Sequence, residues 1–142
     1  MIVTRRATLE DAPEIARMGL SFLEAHPVGP FDPEYVPQFA EMMVRDNLAL
    51  IAEVSGHPCG MLLAVHRTAL FHPSEKVWQE IAWWTDLDAR SAGAGGALLD
   101  AFEEIVGSDR VCMGTMPTTE VEAAYFIKRG WTLTHQVWTK GF

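Results

Sequence analysis

The chain has 142 residues, of which 49% are hydrophobic and 21% charged, a balance typical of one globular domain and unlike that of a disordered chain. Eleven Lys and Arg against 19 Asp and Glu give a net charge of −8 without a basic tract, which argues against nucleic acid and anionic membranes as partners. No apolar run approaches the roughly 20 residues that span a bilayer, and the N-terminus lacks signal-peptide features. We therefore expect a cytoplasmic protein with one domain, residues 1–142.

The first third of the chain predicts one strand and two helices. Residues 2–6 form the strand. A hydroxyl cap at Thr8, acids in the next turn and Pro13 are typical of a helix start, and the helix continues to about residue 26. A proline-rich loop, 26–33, then leads to a second helix over residues 34–45.

The rest of the chain alternates strands with two helices. Two predicted strands, 48–54 and 59–68, flank a turn, and a third covers 77–85. An amphipathic helix follows a glycine-rich loop, and after it we expect a strand at 110–116, a helix at 120–129 closed by Gly130, and short strands at 131–134 and 136–140. The order β-α-α-β-β-β-α-β-α-β-β predicts a mixed α/β domain.

The two cysteines, Cys59 and Cys112, are too few for a disulfide framework or a metal cluster. Their positions in predicted strands favour small core side chains rather than nucleophiles. We therefore expect no metal site.

The glycine-rich loop has the sequence Arg90-Ser91-Ala92-Gly93-Ala94-Gly95-Gly96 and opens the amphipathic helix. Glycines let main chain approach a ligand closely, and the first turn of a helix offers free N–H groups and a positive dipole end. These features favour phosphate, and Arg90 adds a charge there. The alternative is a turn that only packs the helix on the strand; the spacing fits neither a Walker loop nor the dinucleotide fingerprint.

The run Thr85-Asp86-Leu87-Asp88-Ala89-Arg90-Ser91-Ala92-Gly93-Ala94-Gly95-Gly96-Ala97-Leu98-Leu99 resembles the coenzyme A motif of the GNAT superfamily of N-acetyltransferases. Ala123-Ala124-Tyr125-Phe126-Ile127-Lys128-Arg129-Gly130-Trp131 is similar to a second motif of that family. The element order also fits, so the resemblance covers essentially the whole chain. It implies a single-domain, mostly antiparallel mixed sheet with helices on both faces.

The resemblance implies transfer of an acetyl group from acetyl-CoA to a primary amine of a small molecule or protein, without a covalent enzyme intermediate. The net charge of −8 suits such a cationic acceptor. Main-chain N–H groups of residues 91–96 would hold the diphosphate, and the main chain of Trp83, Trp84 and Thr85 would pair with pantetheine. A homodimer is left open.

Two departures concern proton transfer. The family places its acid, a tyrosine, four residues before the closing glycine, where this chain has Phe126; Tyr125 is adjacent, and we weigh it as the substitute or as a packing residue. Some members place a basic glutamate where this chain has Gln79, one residue before Glu80. Because strand side chains alternate between faces, this one-residue shift decides whether Glu80 meets substrate or solvent, and a bulge in the strand could turn it toward the substrate. Removal of the amine proton through a water molecule is the competing route.

In the family, the segment after the first helix borders the acceptor, so His26, Phe31 and Tyr35 are candidate substrate contacts. Two other functions compete with the enzyme. One is a catalytically weak or inactive acyl-CoA-binding module, motivated by Phe126, and the other is a nucleotide-binding domain whose loop holds a different phosphate.

Overall fold

The computed structural model describes residues 1–26, 29–114, 120–134 and 140. The strands are Ile2–Arg6 (β1), Leu48–Val54 (β2), His57–Ala69 (β3), His72–Thr85 (β4) and Arg110–Cys112 (β5). The helices are Ala12–Ala25 (α1), Val36–Asp46 (α2), Ala94–Val106 (α3) and Glu120–Lys128 (α4). Short 3-10 helices at Leu9–Asp11 and Leu87–Ala92 precede α1 and α3.

The described strands form one sheet in the order β1-β2-β3-β4-β5. Each pair from β1 to β4 is antiparallel, whereas β4 and β5 are parallel. A parallel pair needs a crossover connection, and α3 supplies it. The predicted fold class, a mostly antiparallel mixed sheet with helices on both faces, is confirmed.

Helices cover both faces of the sheet because strand side chains alternate between them. On one face, α1 and α2 bury a core that includes Met18, Met43 and, from β2, Ile51. On the other face, α3 packs Phe102 against side chains that include Leu50, the neighbour of Ile51 in the same strand. The central strands are buried on both sides, which explains their nearly continuous apolar runs.

The start of α1 is held by an ionic cluster at the end of β1. The Thr8 main-chain N–H donates to the Asp11 carboxylate at 2.7 Å, and Arg5 donates to both oxygens of that carboxylate at 2.8 Å. These hydrogen bonds, led by the one from Arg5, lower the pKa of Asp11 to about 2. The helix ends at Ala25, where the extended His26 precedes a proline.

Strand β4 begins at His72, five residues before the predicted start. The β3–β4 hairpin extends past the helical layers, and its tip residues Leu70 and Phe71 are 83% and 99% exposed. Residues 72–76 are polar and mostly exposed, so they carry no alternation of apolar side chains. Main-chain pairing alone makes this extension, which hydrophobic periodicity does not detect.

The C-terminal part departs from prediction in two places. Strand β5 ends at Cys112, whereas the predicted strand runs to residue 116, and residues 113 and 114 form no strand. Gly130 has φ +86° after α4, as expected for a helix-closing glycine, but residues 131–134 form no strand. The other predicted strand, 136–140, lies outside the described residues apart from residue 140, as do residues 115–119 after β5. No helix within the described ranges is long and apolar enough to span a membrane.

Candidate active site

Strands β4 and β5 are paired over only three residues each. The pairs run from Val77 with Arg110 to Gln79 with Cys112, and none follows among the described residues. The other edge of β4 continues along β3, with Trp83 opposite Leu62. Among the described residues, the β5-facing edge of residues 80–85 thus has no strand beside it, and we call this side of β4 the gap; an extended ligand could pair with such an edge like a strand.

A bulge in β4 stands at the start of this gap. Ala82 pairs with Leu63 but Glu80 pairs with Ala64, so Ile81 is an extra residue. Directly paired residues share a face, and Ala64 belongs to the core under α3. Glu80 therefore lies on the α3 face, whereas regular alternation would have put it on the α1–α2 face with Ala82.

Glu80 is 9% exposed at the opening of the gap. Its carboxyl group accepts a hydrogen bond from the main-chain N–H of Gly114, which follows β5. Burial raises the pKa of Glu80 to about 7, and the Gly114 N–H only partly opposes this rise. Near neutral pH the group can therefore both accept and release a proton.

The glycine-rich loop ends in the first turn of α3. Gly93 has φ +86°, a conformation that favours glycine, and its carbonyl accepts the first helical hydrogen bond, from Ala97, at 3.0 Å. The N–H groups of Ala94, Gly95 and Gly96 therefore precede the helical ladder. Among the described residues, a Cβ at Gly96 would meet only the Tyr125 hydroxyl, at 3.5 Å, so this turn presents open main chain that fits a diphosphate.

Gly95 has a different role from Gly96. A Cβ there would lie 3.3 Å from Thr85 Oγ1, and the Gly95 carbonyl accepts a hydrogen bond from Trp83 Nε1 at 3.2 Å. Gly60 in β3 is equally crowded, because its Cβ would lie 3.2 Å from the Trp84 carbonyl. The Trp83 hydrogen bond, together with the close approach that glycine allows at position 95, holds the start of α3 against β4. Sequence reasoning missed Gly60, since a lone strand glycine carries no motif.

Charged side chains brace the connection between β4 and α3. The Arg90 Nε donates to the Thr85 carbonyl at 3.0 Å, and its guanidinium lies 5.0 Å from the Trp84 ring. Asp86 accepts from Trp84 Nε1 at 3.0 Å and pairs with Arg17 of α1 at 2.7 Å. Burial opposes ionisation of Asp86, but these hydrogen bonds keep its pKa below the usual value. Sequence analysis had given Arg17 no role.

Tyr125 and Phe126 point to different surroundings on α4. The Phe126 ring lies edge-on to Trp83 and Trp131 at 6.1 and 5.7 Å between centroids, so it is a packing residue. Tyr125 is 39% exposed, and its hydroxyl sits at Gly96 and accepts a hydrogen bond from Arg129 Nη1 at 3.4 Å. The only phenol near the first turn of α3, among the described residues, is thus Tyr125.

A cleft of about 470 Å³ lies on the opposite face of the sheet, between α1, α2 and the β4 bulge. Phe31 and Tyr35 line it together with Ile81 and Ala82. His26 lies nearby without lining it, edge-on to Trp84 at 6.1 Å. Two of the three predicted acceptor contacts are thus brought together at the bulge. Within the described ranges, no group of three or more His, Cys, Asp or Glu side chains is arranged to hold a metal ion.

Residues 15–131 match the family described as acetyltransferase (GNAT) family. The fold is similar to a ribosomal-protein-alanine N-acetyltransferase from Brucella melitensis biovar Abortus 2308, at 17% identity and TM-score 0.74, covering 100% of this chain and 99% of that one. It is also similar to a predicted acetyltransferase with acetyl-CoA from Clostridium acetobutylicum, at 12% identity and TM-score 0.76, covering 99% and 96%.

A third similar structure is an aminoglycoside acetyltransferase from an uncultured soil metagenomic sample in complex with sisomicin. Its identity is 14% and its TM-score 0.70, with 99% of this chain and 95% of that one covered. At these identities the likeness concerns the fold. No curated protein sequence matches the chain.

Proposed function

The chain belongs to the acetyltransferase (GNAT) family, and from this premise we propose that it transfers an acetyl group from acetyl-CoA to a primary amine of a small molecule or protein. The observation that carries the proposal is the first turn of α3, whose open N–H groups lie beside the end of β4. There the β5-facing edge of the strand has no strand partner among the described residues. The first turn of α3 suits the diphosphate of coenzyme A, and this edge of β4 suits its pantetheine arm.

The coenzyme would bind by its diphosphate and by its pantetheine arm. Of the predicted main-chain N–H groups of residues 91–96, those of Ala94, Gly95 and Gly96 would hold the diphosphate, because the Gly93 N–H donates to the Arg90 carbonyl at 3.3 Å and residues 91 and 92 belong to a 3-10 helix. Arg90 adds positive charge beside them. The main chain of Trp83, Trp84 and Thr85 would pair with the amides of pantetheine, which directs the thioester along the gap toward the bulge.

The reaction proposed is direct attack by the amine on the thioester. The nitrogen lone pair forms the C–N bond while the C–S bond breaks, and the electron pair of the C–S bond leaves with the sulfur as the coenzyme A thiolate. The nitrogen loses one proton and the thiolate takes one, so the products are the acetylated amine and coenzyme A. The protein must position the reactants, stabilise the carbonyl oxygen and move these two protons.

Glu80 is the proposed base. It lies at the mouth of the gap, and its pKa of about 7 suits proton transfer near neutrality. The carboxylate would take the proton from the attacking nitrogen directly or through one water. The bulge supports this assignment, because it turns Glu80 out of the packing of the α1–α2 face.

Tyr125 is the proposed acid for the departing thiolate. Its hydroxyl is exposed on the same side of the sheet as Glu80, next to the open turn of α3. Arg129 orients the phenol by a hydrogen bond at 3.4 Å and by lying over its ring at 5.4 Å. Phe126 has no proton to give and is occupied in packing.

That packing of Phe126 is also the observation that favours a second function, a coenzyme A-binding module with little or no turnover. The decisive experiment titrates the protein with acetyl-CoA, coenzyme A and ATP by calorimetry and then measures thiol release with a panel of amines. We expect acetyl-CoA to bind in preference to ATP, with turnover on at least one amine. Binding without any turnover would support the module, and selective binding of ATP would refute both.

A shape-matched pair of variants at Gly96, one charged and one neutral, tests the location of the diphosphate. Gly96→Glu places a carboxylate in the first turn of α3, where acids favour helices, so we expect it to stay folded. Gly96→Gln has nearly the same shape without the charge. We expect acetyl-CoA affinity to fall at least about tenfold further in the Glu variant, in line with a repulsion exceeding about 1.4 kcal/mol. Equal affinities would place the diphosphate elsewhere.

A further inference from the structure

The cleft on the α1–α2 face has a composition that selects among amines. Apolar side chains form most of its wall, contributed by α1, α2, β3 and β4, and Phe31 closes it from the loop before α2. Asp32 is the one charged residue among its described lining residues, and Tyr35 adds a hydroxyl group. Burying the hydrocarbon part of a ligand against such a wall is favourable, whereas a ligand with several charges would lose hydration that the wall does not replace.

The cleft also opens at the proposed reaction centre. Ile81, the extra residue of the bulge, lines it together with Ala82, while the neighbouring Glu80 faces the gap between β4 and β5. An acceptor lying in the cleft would present its end to the place where the pantetheine arm delivers the thioester. The apolar body of the acceptor would thus lie in the cleft, and its reactive nitrogen would lie at the gap.

We propose that the acceptor is a small primary monoamine with an aromatic or branched apolar body that fills this cleft, and that Asp32 at the rim attracts the ammonium ion on its way in, before the nitrogen reaches the gap. The inference rests on the proposed acetyl transfer and names the substrate class of that site. A volume of about 470 Å³ is of the size that holds one small ligand. A polyamine or an aminoglycoside would leave all but one of its cations without an acidic partner here.

Asp32 is available for this role at the rim. It is exposed, and one of its carboxylate oxygens accepts the main-chain N–H of Glu34 at 2.9 Å, which fixes its orientation. Within the described part of the chain, this is its one recorded side-chain hydrogen bond. The second oxygen can therefore meet an incoming ammonium, and the net charge of −8 favours the approach of a cation.

The test compares 2-phenylethylamine and 3-methylbutylamine with spermidine and a lysine-containing peptide as acceptors at saturating acetyl-CoA. We expect kcat/KM at least about tenfold higher for the two apolar monoamines, the discrimination that one or two hydrocarbon groups supply in an apolar pocket. A preference for spermidine or the peptide overturns the proposal. Longer acyl-CoA thioesters that compete with the monoamines would also overturn it, because the cleft would then hold the acyl chain.

Two variants test whether the amine binds in the cleft. Phe31→Ala should raise KM for 2-phenylethylamine at least about tenfold with acetyl-CoA affinity unchanged, and Asp32→Asn should raise KM for both monoamines in a salt-dependent way. Leu70→Ala, which truncates an exposed apolar residue on the hairpin tip, is the matched control and should change nothing. Unaltered KM in both cleft variants overturns the proposal.

Calorimetry separates failure of this inference from failure of the proposed function. Titration with 2-phenylethylamine alone measures whether the cleft holds the amine, and titration with acetyl-CoA measures the coenzyme site. Lost coenzyme binding counts against acetyl transfer. Intact coenzyme binding and turnover, with no binding of 2-phenylethylamine by the free or coenzyme-bound protein, counts against the apolar acceptor alone.

Discussion

At the scale of single residues, neighbouring side chains of β4 face opposite sides of the sheet. Glu80 faces the α3 side, where burial raises its pKa to about 7 and a hydrogen bond from the Gly114 N–H partly opposes that rise. Gln79 faces the α1–α2 side, opposite Val65. The same strand therefore places an ionisable side chain beside the core under α3 and an uncharged amide on the α1–α2 side.

Replacing Glu80 tests it as the base. Glu80→Gln should lower kcat/KM by about 10²–10⁴-fold, the usual contribution of a positioned base. In the wild type we expect kcat/KM to rise with pH through about 7, as the carboxyl ionises, and this limb should vanish in the variant. Thiol release from pH 5.5 to 9 measures both. Glu75→Gln, on the exposed part of β4, is the control; an unchanged pH profile in Glu80→Gln would exclude the base.

Replacing Tyr125 tests it as the acid. Tyr125→Phe removes only the hydroxyl group, and we expect kcat to fall at least about tenfold while KM for acetyl-CoA stays constant. Steady-state kinetics with acetyl-CoA as the varied substrate separates the two constants. If KM rises and kcat does not change, the hydroxyl instead binds the diphosphate next to Gly96.

At the scale of elements, the bulge in β4 and the first turn of α3 make the site. The bulge adds one residue, Ile81, between Glu80 and Ala82. As a result Glu80 faces the gap, while the next residue, Ile81, lines the cleft. It also leaves main-chain groups out of the β3–β4 ladder at the mouth of the gap. We propose that a main-chain N–H of this bulged segment donates to the carbonyl oxygen of the thioester.

Deleting Ile81 tests the bulge. Glu80 and Ala82 can keep their partners Ala64 and Leu63 in a regular ladder, so we expect the protein to fold and to bind acetyl-CoA. Loss of the N–H donor should lower kcat by about 10²–10³-fold. Circular dichroism, coenzyme titration and thiol release measure these three properties. Ile81→Ala, which keeps the bulge, is the control, and equal kcat in the two variants would remove the bulge from the mechanism.

At the scale of the whole molecule, one sheet with helices on both faces brings three distant segments to one place. The gap lies between β4 and β5, the turn of α3 lies at its end, and α4 adds Tyr125 from the same face. Arg17 of α1 joins the connection through its ion pair with Asp86. Because Glu80 is buried within this assembly, its titration is linked to global unfolding.

That linkage predicts a pH dependence of stability. The pKa of Glu80 is raised from 4.5 to about 7 in the folded state, so its favourable contribution is complete below 4.5 and is lost as pH rises through 7. At about 1.4 kcal/mol per pKa unit, Glu80→Gln should gain up to about 3 kcal/mol over the wild type between pH 4.5 and 8. Urea unfolding of both proteins at pH 5 and 8 measures this; a constant difference would mean that Glu80 titrates normally.

Local sequence determined most of the fold. Apolar periodicity, caps and breakers predicted β1 and β2 with the bounds observed, and they predicted all four helices, because these signals depend on neighbouring residues. They also predicted the loop from Arg90 to Gly96 at the start of α3. They failed at residues 72–76, where exposed main-chain pairing extends β4, and at 131–134, where short apolar runs form no strand.

Tertiary structure decided what the site residues face. The sequence left Glu80 between two faces, and the bulge opposite Leu63 and Ala64 decided in favour of α3, since register depends on the partner strand. Packing likewise placed the partly buried Phe126 ring against Trp83 and left the neighbouring Tyr125 hydroxyl at Gly96. A sequence specifies which residues are near in the chain; only the paired sheet and packed helices specify which meet across it.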